Sequence, residues 1–194
     1  MAMGRTPAAR QKIIDASRAI VRERGAGALT FDEISQVSGV TRGGITYHFP
    51  TKQALLRGLV DDDVRQWKQV EADNQPEGTS AEMGELIGFI RAHTNEDPDR
   101  RRFVSGMLSA VTLDPPILDP AREFERDRMA AIEWNEKNLK LQMLRYAAIG
   151  IFWSQLFGCP DLPADVRRQL VALLERTATS WSEDAATPDP NTNE

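Results

Sequence analysis

Within one stretch of this 194-residue chain hydrogen-bond donors crowd together: Thr41, Arg42, Thr46, Tyr47, His48 and Lys52, with Thr30 a little ahead of them. The planar fork of an arginine matches the O6 and N7 acceptors of guanine, and a threonine methyl can lie on the methyl of thymine. Hydroxyl and ammonium groups donate to phosphate oxygens, contacts that position a protein on a duplex without reading its sequence. The set therefore suits nucleic acid. Other chemistries fit it poorly. His48 has no second nitrogen or sulfur ligand near it in sequence, so no metal is expected. Cys159 has no nearby histidine, and no nucleophile–base pair, metal-ligand cluster or glycine-rich phosphate loop is visible. We expect no enzyme, no catalytic residue and no cofactor.

The elements that must hold these donors are legible around them, in TFDEISQVSGVTRGGITYHFPTKQALL. Thr30 followed three residues later by Glu33 predicts a capping box, the hydroxyl accepting from a first-turn amide and the carboxylate reaching back. Phe31, Ile34 and Val37 form an apolar stripe, and Gly39 suits the left-handed geometry of a helix end. Val40 opens a second helix whose inward side chains are Ile45 and Phe49. Its outer face is Thr41, Arg42, Gly43, Thr46, Tyr47 and His48, with no acid among them. Two short helices around a sharp turn, the second free of carboxylates, are what major-groove reading requires.

Within that layout Arg42 lies one residue inside the reading helix and can reach either a base edge or a phosphate. Thr41, at the cap, has a phosphate oxygen or its own backbone as partner. Thr46 faces a thymine methyl or a groove wall, and Tyr47 and His48 are expected to donate to the DNA backbone, with Tyr47 also able to contact a base. Lys52 stands in the first turn of the next helix, where a cation opposes the helix dipole at a cost of about 0.3–1 kcal/mol; an approaching phosphate reverses that arithmetic. Gly43 and Gly44 each cost a helix interior roughly 1 kcal/mol relative to alanine. Either the missing side chains let the helix lie close to DNA, the reading favoured for Gly43, or they are a tolerated weakness in a helix held by packing; Gly44 is left open.

The formal charge of −5 argues against a nucleic-acid binder until its distribution is counted. Residues 1–52 hold eight Lys and Arg against four Asp and Glu, a balance of +4, and the remainder sixteen against twenty-five, or −9. A basic head on an acidic body lays one end on phosphate and keeps the other off it. A single cysteine excludes an intramolecular disulfide and suits a reducing, cytoplasmic setting. MAMGRTPAARQK has charge but no following apolar core, so no signal peptide is expected. The densest apolar stretch, Leu139 to Phe157, is broken by Lys140, Gln142, Arg145, Ser154 and Gln155; it predicts a buried helix, not a membrane span.

Periodicity predicts an all-α chain of about nine helices: Pro7–Arg24, the two reading helices, one from Thr51, Ser80–His93, one from Pro98 to Asp114, a long seventh from a cap at Asp119 to about Glu136, Lys137–Phe157 and Pro163–Trp181. We expect a DNA-binding domain over 6–66 with its helix-turn-helix at 29–48, a ligand-binding and dimerisation domain over 67–182, and a disordered tail over 183–194. Arg100-Arg101-Arg102 reads as an ion-paired surface without function.

The TFDEIS, GVT, TYHF and PTKQALL segments together resemble the amino-terminal domain of the TetR family of bacterial transcriptional regulators. Two departures are Thr46, where the family most often has tyrosine, and the adjacent Gly43 and Gly44. The resemblance implies a homodimeric regulator, most often a repressor, that binds an inverted-repeat operator and is released by a small molecule. It also implies a phosphate contact for Lys52 and a four-helix dimer interface from the eighth and ninth helices, rich in apolar side chains such as Ile151, Phe152, Val166 and Leu173. Phe89, Phe103, Met107, Trp134, Tyr146, Phe152 and Trp153 either line an apolar ligand pocket or fill the core. The alternative is a DNA-binding or bridging protein without an inducer.

Overall fold

Side-chain caps decide where the helices begin. In a computed structural model that describes residues 6–95, 97–160 and 162–184, nine α-helices and two short 3-10 turns are present, with no strand among the described residues. They are α1 (Thr6–Arg24), α2 (Phe31–Ser38), α3 (Arg42–His48), α4 (Lys52–Asp73), α5 (Ala81–Thr94), α6 (Pro98–Leu113), α7 (Asp119–Ala130), α8 (Glu136–Leu156) and α9 (Ala164–Asp184). Ser80, Asp97 and Asn135 accept from the amides of Met83, Arg100 and Asn138, each satisfying one of the free donors at a helix start.

The helices pack as two units. The first holds the chain through Gln66 together with Asp97–Ala130. Its core joins Ile13, Ile14 and Val21 of α1, Ile34, Ile45 and Phe49 of the reading helices, Leu55 and Leu59 of α4, and Phe103 and Met107 of α6. A charged seam runs beside that core. Arg18 donates to Asp63 at 3.0 Å and to Asp62 at 3.5 Å while lying over the Phe103 ring, and Arg100 pairs with Asp63. Asp62 is buried, and Gln66 and Arg65 donate to it as well, so its charge is paired as burial demands.

The second unit holds Trp67–Glu96 and the chain from Ala131. Met83, Leu86, Phe89 and Ile90 of α5 meet Leu141, Leu144 and Ala148 of α8 and Leu174 and Ala178 of α9. Arg91 of α5 makes a bidentate pair with Glu175 of α9, both contacts at 2.9 Å, and Arg167 donates to the Thr94 carbonyl at the end of α5.

The helices differ from the sequence reading in several of their bounds. Residues 97–130 pack with the amino-terminal helices, Phe103, Met107 and Ile117 burying themselves against Ile13 and its neighbours. The seventh helix is shorter than expected: it ends at Ala130 and Asn135 caps a new helix. Asp119 is itself helical (φ −53°, ψ −40°), continuing from a 3-10 turn over Pro115–Leu118, so it is not a cap. The ninth helix runs to Asp184, into the segment expected to be disordered; residues 185–194 lie outside those described.

Candidate nucleic-acid interface

Thr30 caps α2 by accepting from the Glu33 amide at 3.2 Å, as expected. The other half of the capping box is replaced: the Glu33 carboxylate pairs with Arg24 of α1 and ties α2 to that helix. Gly39 closes α2 in the left-handed region (φ 68°), which an L side chain adopts only with strain. The chain then turns through Val40 to Thr41, whose hydroxyl accepts from the Gly44 amide at 3.2 Å and starts α3. Ile45 is fully buried and Phe49 nearly so, and they fix the depth and rotation of α3 on the core.

With that face turned inward, Thr41, Arg42, Gly43, Thr46 and Tyr47 are exposed. Tyr47 is 77 % exposed, unusual for so large a ring, and meets the half-buried His48 edge to face at 5.1 Å. Thr46 spends its hydroxyl on the Arg42 carbonyl at 2.7 Å, leaving its methyl as the group it can offer. The Thr41 and Thr30 hydroxyls accept within their own caps and keep their protons for an outside acceptor.

The glycine pair divides. A Cβ on Gly44 would stand 2.9 Å from Val40 Cγ1, so internal packing accounts for that residue. A Cβ on Gly43 would meet nothing within 4 Å. Its missing side chain has no use inside the protein.

Lys52 opens α4, whose Ala54 amide is capped by Thr51 at 3.0 Å. Its ammonium donates to the Gly27 carbonyl at 3.1 Å and so tethers the turn between α1 and α2; two further N–H donors stay available to solvent or phosphate. At this surface, sequence reading missed an acid. Asp32, in the first turn of α2, holds the Arg42 guanidinium with a 2.6 Å ion pair. The outer face of α3 has no acid of its own, yet the fold brings one to it from ten residues away. The same folding pairs Arg102 with Asp99, as expected for a surface ion pair.

The seven aromatic and methionine side chains do not form one group. Phe103 and Met107 belong to the core of the first unit. Phe89 and Phe152 are buried in the second, around His93: the imidazole stacks on Phe89 at 3.9 Å, meets Trp67 edge-on at 4.7 Å and Phe152 at 6.3 Å, and bonds the Phe89 carbonyl at 3.0 Å through Nδ1. Trp134, Tyr146 and Trp153 are exposed on the protomer. A solvent-open cleft of about 760 Å³ in the second unit is lined instead by polar residues, among them Arg91, Asn95, Arg167, Arg168 and Glu175. No described group of His, Cys, Asp and Glu is arranged to hold a metal ion, and no described helix is long and apolar enough to cross a membrane.

Residues 13–59 match the model of the bacterial regulatory proteins of the tetR family, and residues 84–179 match that of the tetracyclin repressor-like C-terminal domain. The chain belongs to the TetR family. Its α2–turn–α3 segment lies within the match to the family's regulatory-protein model and is that family's helix-turn-helix. It is 38 % identical over 52 residues to the HTH-type transcriptional regulator TtgR of Pseudomonas putida, covering 27 % of this chain. That match spans only about a quarter of the relative's length (25 %). Over nearly the whole chain the fold is similar to that of Salmonella enterica GusR, at 18 % identity and a TM-score of 0.61, with 93 % of this chain and 98 % of that one covered. It is also similar to the multidrug binding protein EbrR complexed with imidazole, at 18 % identity and 0.62, with 95 % and 98 % covered.

Proposed function

We propose that this TetR-family protein represses transcription as a homodimer on an inverted-repeat operator and is released by a small molecule. The observation that carries the reading is the head itself. Ile45 and Phe49 anchor α3 so that Arg42, Gly43, Thr46 and Tyr47 all remain outside. In this reading Arg42 reads a base edge, Thr46 presents its methyl, and Thr30, Thr41, Tyr47, His48 and Lys52 hold the backbone.

Dimerisation through α8 and α9 is supported by a stripe of α8 that the protomer leaves bare. Leu139, Met143, Tyr146, Trp153 and Phe157 are exposed at spacings of four, three, seven and four, with exposed Gly150 in the gap. That alternation of three and four is the seam of packed helices. Exposed Val166 and Leu173 on α9 add a second stripe. A two-fold axis through these stripes builds a four-helix interface and places two reading heads for two half-sites.

Small-molecule release is supported by the match to the family's C-terminal domain; the packed rings of Phe89, His93 and Phe152 are the apolar group that a ligand would have to part. α4 contributes to both units, Lys52–Gln66 to one and Trp67–Asp73 to the other, so a ligand that moves its second half acts on the helix that carries the head. Release requires tighter ligand binding by the DNA-incompetent state, with DNA weakening the ligand by the same factor.

A gel-shift titration against the protein's own upstream region and a random duplex tests the DNA reading. Specific binding that falls steeply with salt is the expected result. Equal affinity for both duplexes removes the repressor.

A further inference from the structure

Arg42 and Asp32 are both largely exposed, 65 % and 70 % of their side chains, yet the ion pair between them is short. Exposed pairs of this kind contribute little to stability. Folding therefore does not account for this contact, and its geometry suggests another use. Both ends are fixed from below. Asp32 stands on α2, whose Ile34 is fully buried and whose first turn is capped by Thr30; Arg42 stands on α3, held by Ile45 and capped by Thr41. The carboxylate is thus a post at a set distance from the root of the arginine. The pair engages Nη1 alone. A guanidinium has five N–H donors, and a guanine edge takes two of them.

We propose that Asp32 is a positioning residue for base reading: its carboxylate orders the Arg42 guanidinium before DNA arrives and leaves the free edge of the fork for a guanine. The inference rests on the reading that Arg42 contacts a base. A free arginine samples many rotamers, and ordering it on binding costs affinity. With Asp32 in place that ordering belongs to the folded head. The same carboxylate repels phosphate, so it lowers affinity for a duplex that lacks the guanine while sharpening discrimination at one base pair. Opposite effects on affinity and on selectivity are a signature that a merely structural contact does not give.

The test is a selection from a randomised duplex pool with the full-length protein and its Arg42→Ala, Asp32→Ala and Asp32→Asn variants, sequencing the bound fraction and measuring affinity for a random duplex. Circular dichroism checks that each variant is folded. The wild type should prefer guanine at one position per half-site by roughly 5- to 150-fold. Arg42→Ala should flatten that position alone. Asp32→Ala should lower the preference at the same position by up to about fivefold while binding random DNA more tightly, and Asp32→Asn, whose amide oxygen still accepts from Nη1, should keep most of the preference. A guanine preference that Asp32→Ala leaves undiminished overturns the proposal, as does a loss spread over positions that Arg42→Ala leaves intact, or an Asp32→Asn variant no better than alanine. If Arg42→Ala changes no position, base reading by Arg42 falls, and the role of Asp32 with it.

Discussion

Gly106 of α6 lies against the backbone of Val21 in α1 so closely that a Cβ there would overlap the Val21 carbonyl oxygen and stand 3.0 Å from Val21 Cγ1. Neighbouring contacts run the length of this crossing: Arg22 pairs with Asp99 at 2.9 Å at one end, and Arg18 covers Phe103 between the two helices. α6 is thereby built into the same unit as the reading head.

Gly106→Ala should destabilise the protein although alanine is the better helix former. Propensity favours alanine by about 1 kcal/mol, but overpacking costs about 1–3 kcal/mol, and here the obstacle is a backbone carbonyl that cannot rotate away. Urea unfolding measures the difference. A more stable variant would mean that α1 and α6 separate without loss, and that the close crossing does not hold the unit together.

Gly43→Ala makes the opposite case. Nothing lies within 4 Å of the added carbon, so the same propensity argument predicts a gain of up to about 1 kcal/mol in unfolding. Operator binding should weaken if DNA occupies that space. Unchanged or tighter binding would make Gly43 a tolerated weakness. Gly44→Ala is the control, since its carbon meets Val40 at 2.9 Å and should not stabilise.

The reading head was legible because its signals are local. A hydroxyl three residues ahead of an amide, a glycine at a helix end and two apolar residues four apart are all properties of one short window, and Thr30, Gly39, Ile45 and Phe49 behave as those signals state. Partners from elsewhere in the chain were not legible. Glu33 turned to Arg24, and Asp32 reached Arg42 from another helix. The shared unit of α6 with α1 depends on Gly106 meeting Val21 across eighty-odd residues, which no window contains. Two misses had signals. Asn135 ahead of Asn138 is a cap that ends the expected long helix, and the bare stripe of α8 has a readable period. With apolar residues on nearly every side of α8, composition does not say which side its own core takes.

Arg91 and Glu175 give a pH prediction. The hydrogen bond and charge of Glu175 hold the Arg91 guanidinium above its ordinary pKa, against a smaller opposing effect of burial. A raised basic group contributes stability below its unfolded pKa and loses it only as pH rises through the folded value, so on the Arg91 side the pair is intact throughout the neutral range. Arg91 is 37 % exposed, and solvent screening reduces the coupling to about 1 kcal/mol despite the bidentate geometry. A double-mutant cycle of Arg91→Ala and Glu175→Ala at pH 7 should show that coupling, unchanged at pH 9. A coupling that disappears by pH 9 would contradict the assignment.

The α8 stripe allows the dimer to be tested without confusing assembly with folding. A charge at Phe152 confounds the two, because Phe152 is buried within the protomer. Met143 and Trp153 are 63 % and 38 % exposed, so glutamate at either place removes little from the protomer's own core. Across a two-fold axis each would set a carboxylate into an apolar seam beside its copy, and unpaired buried charges are costly. Met143→Glu should therefore yield a folded monomer in light scattering at micromolar concentration, with helical circular dichroism retained. Because a monomer presents one head, its affinity for an inverted repeat should fall toward that for a single half-site, while binding to a half-site duplex stays as it was. A variant that remains dimeric would place the interface elsewhere. A variant that becomes monomeric yet keeps full affinity for the inverted repeat would break the link between this seam and operator recognition.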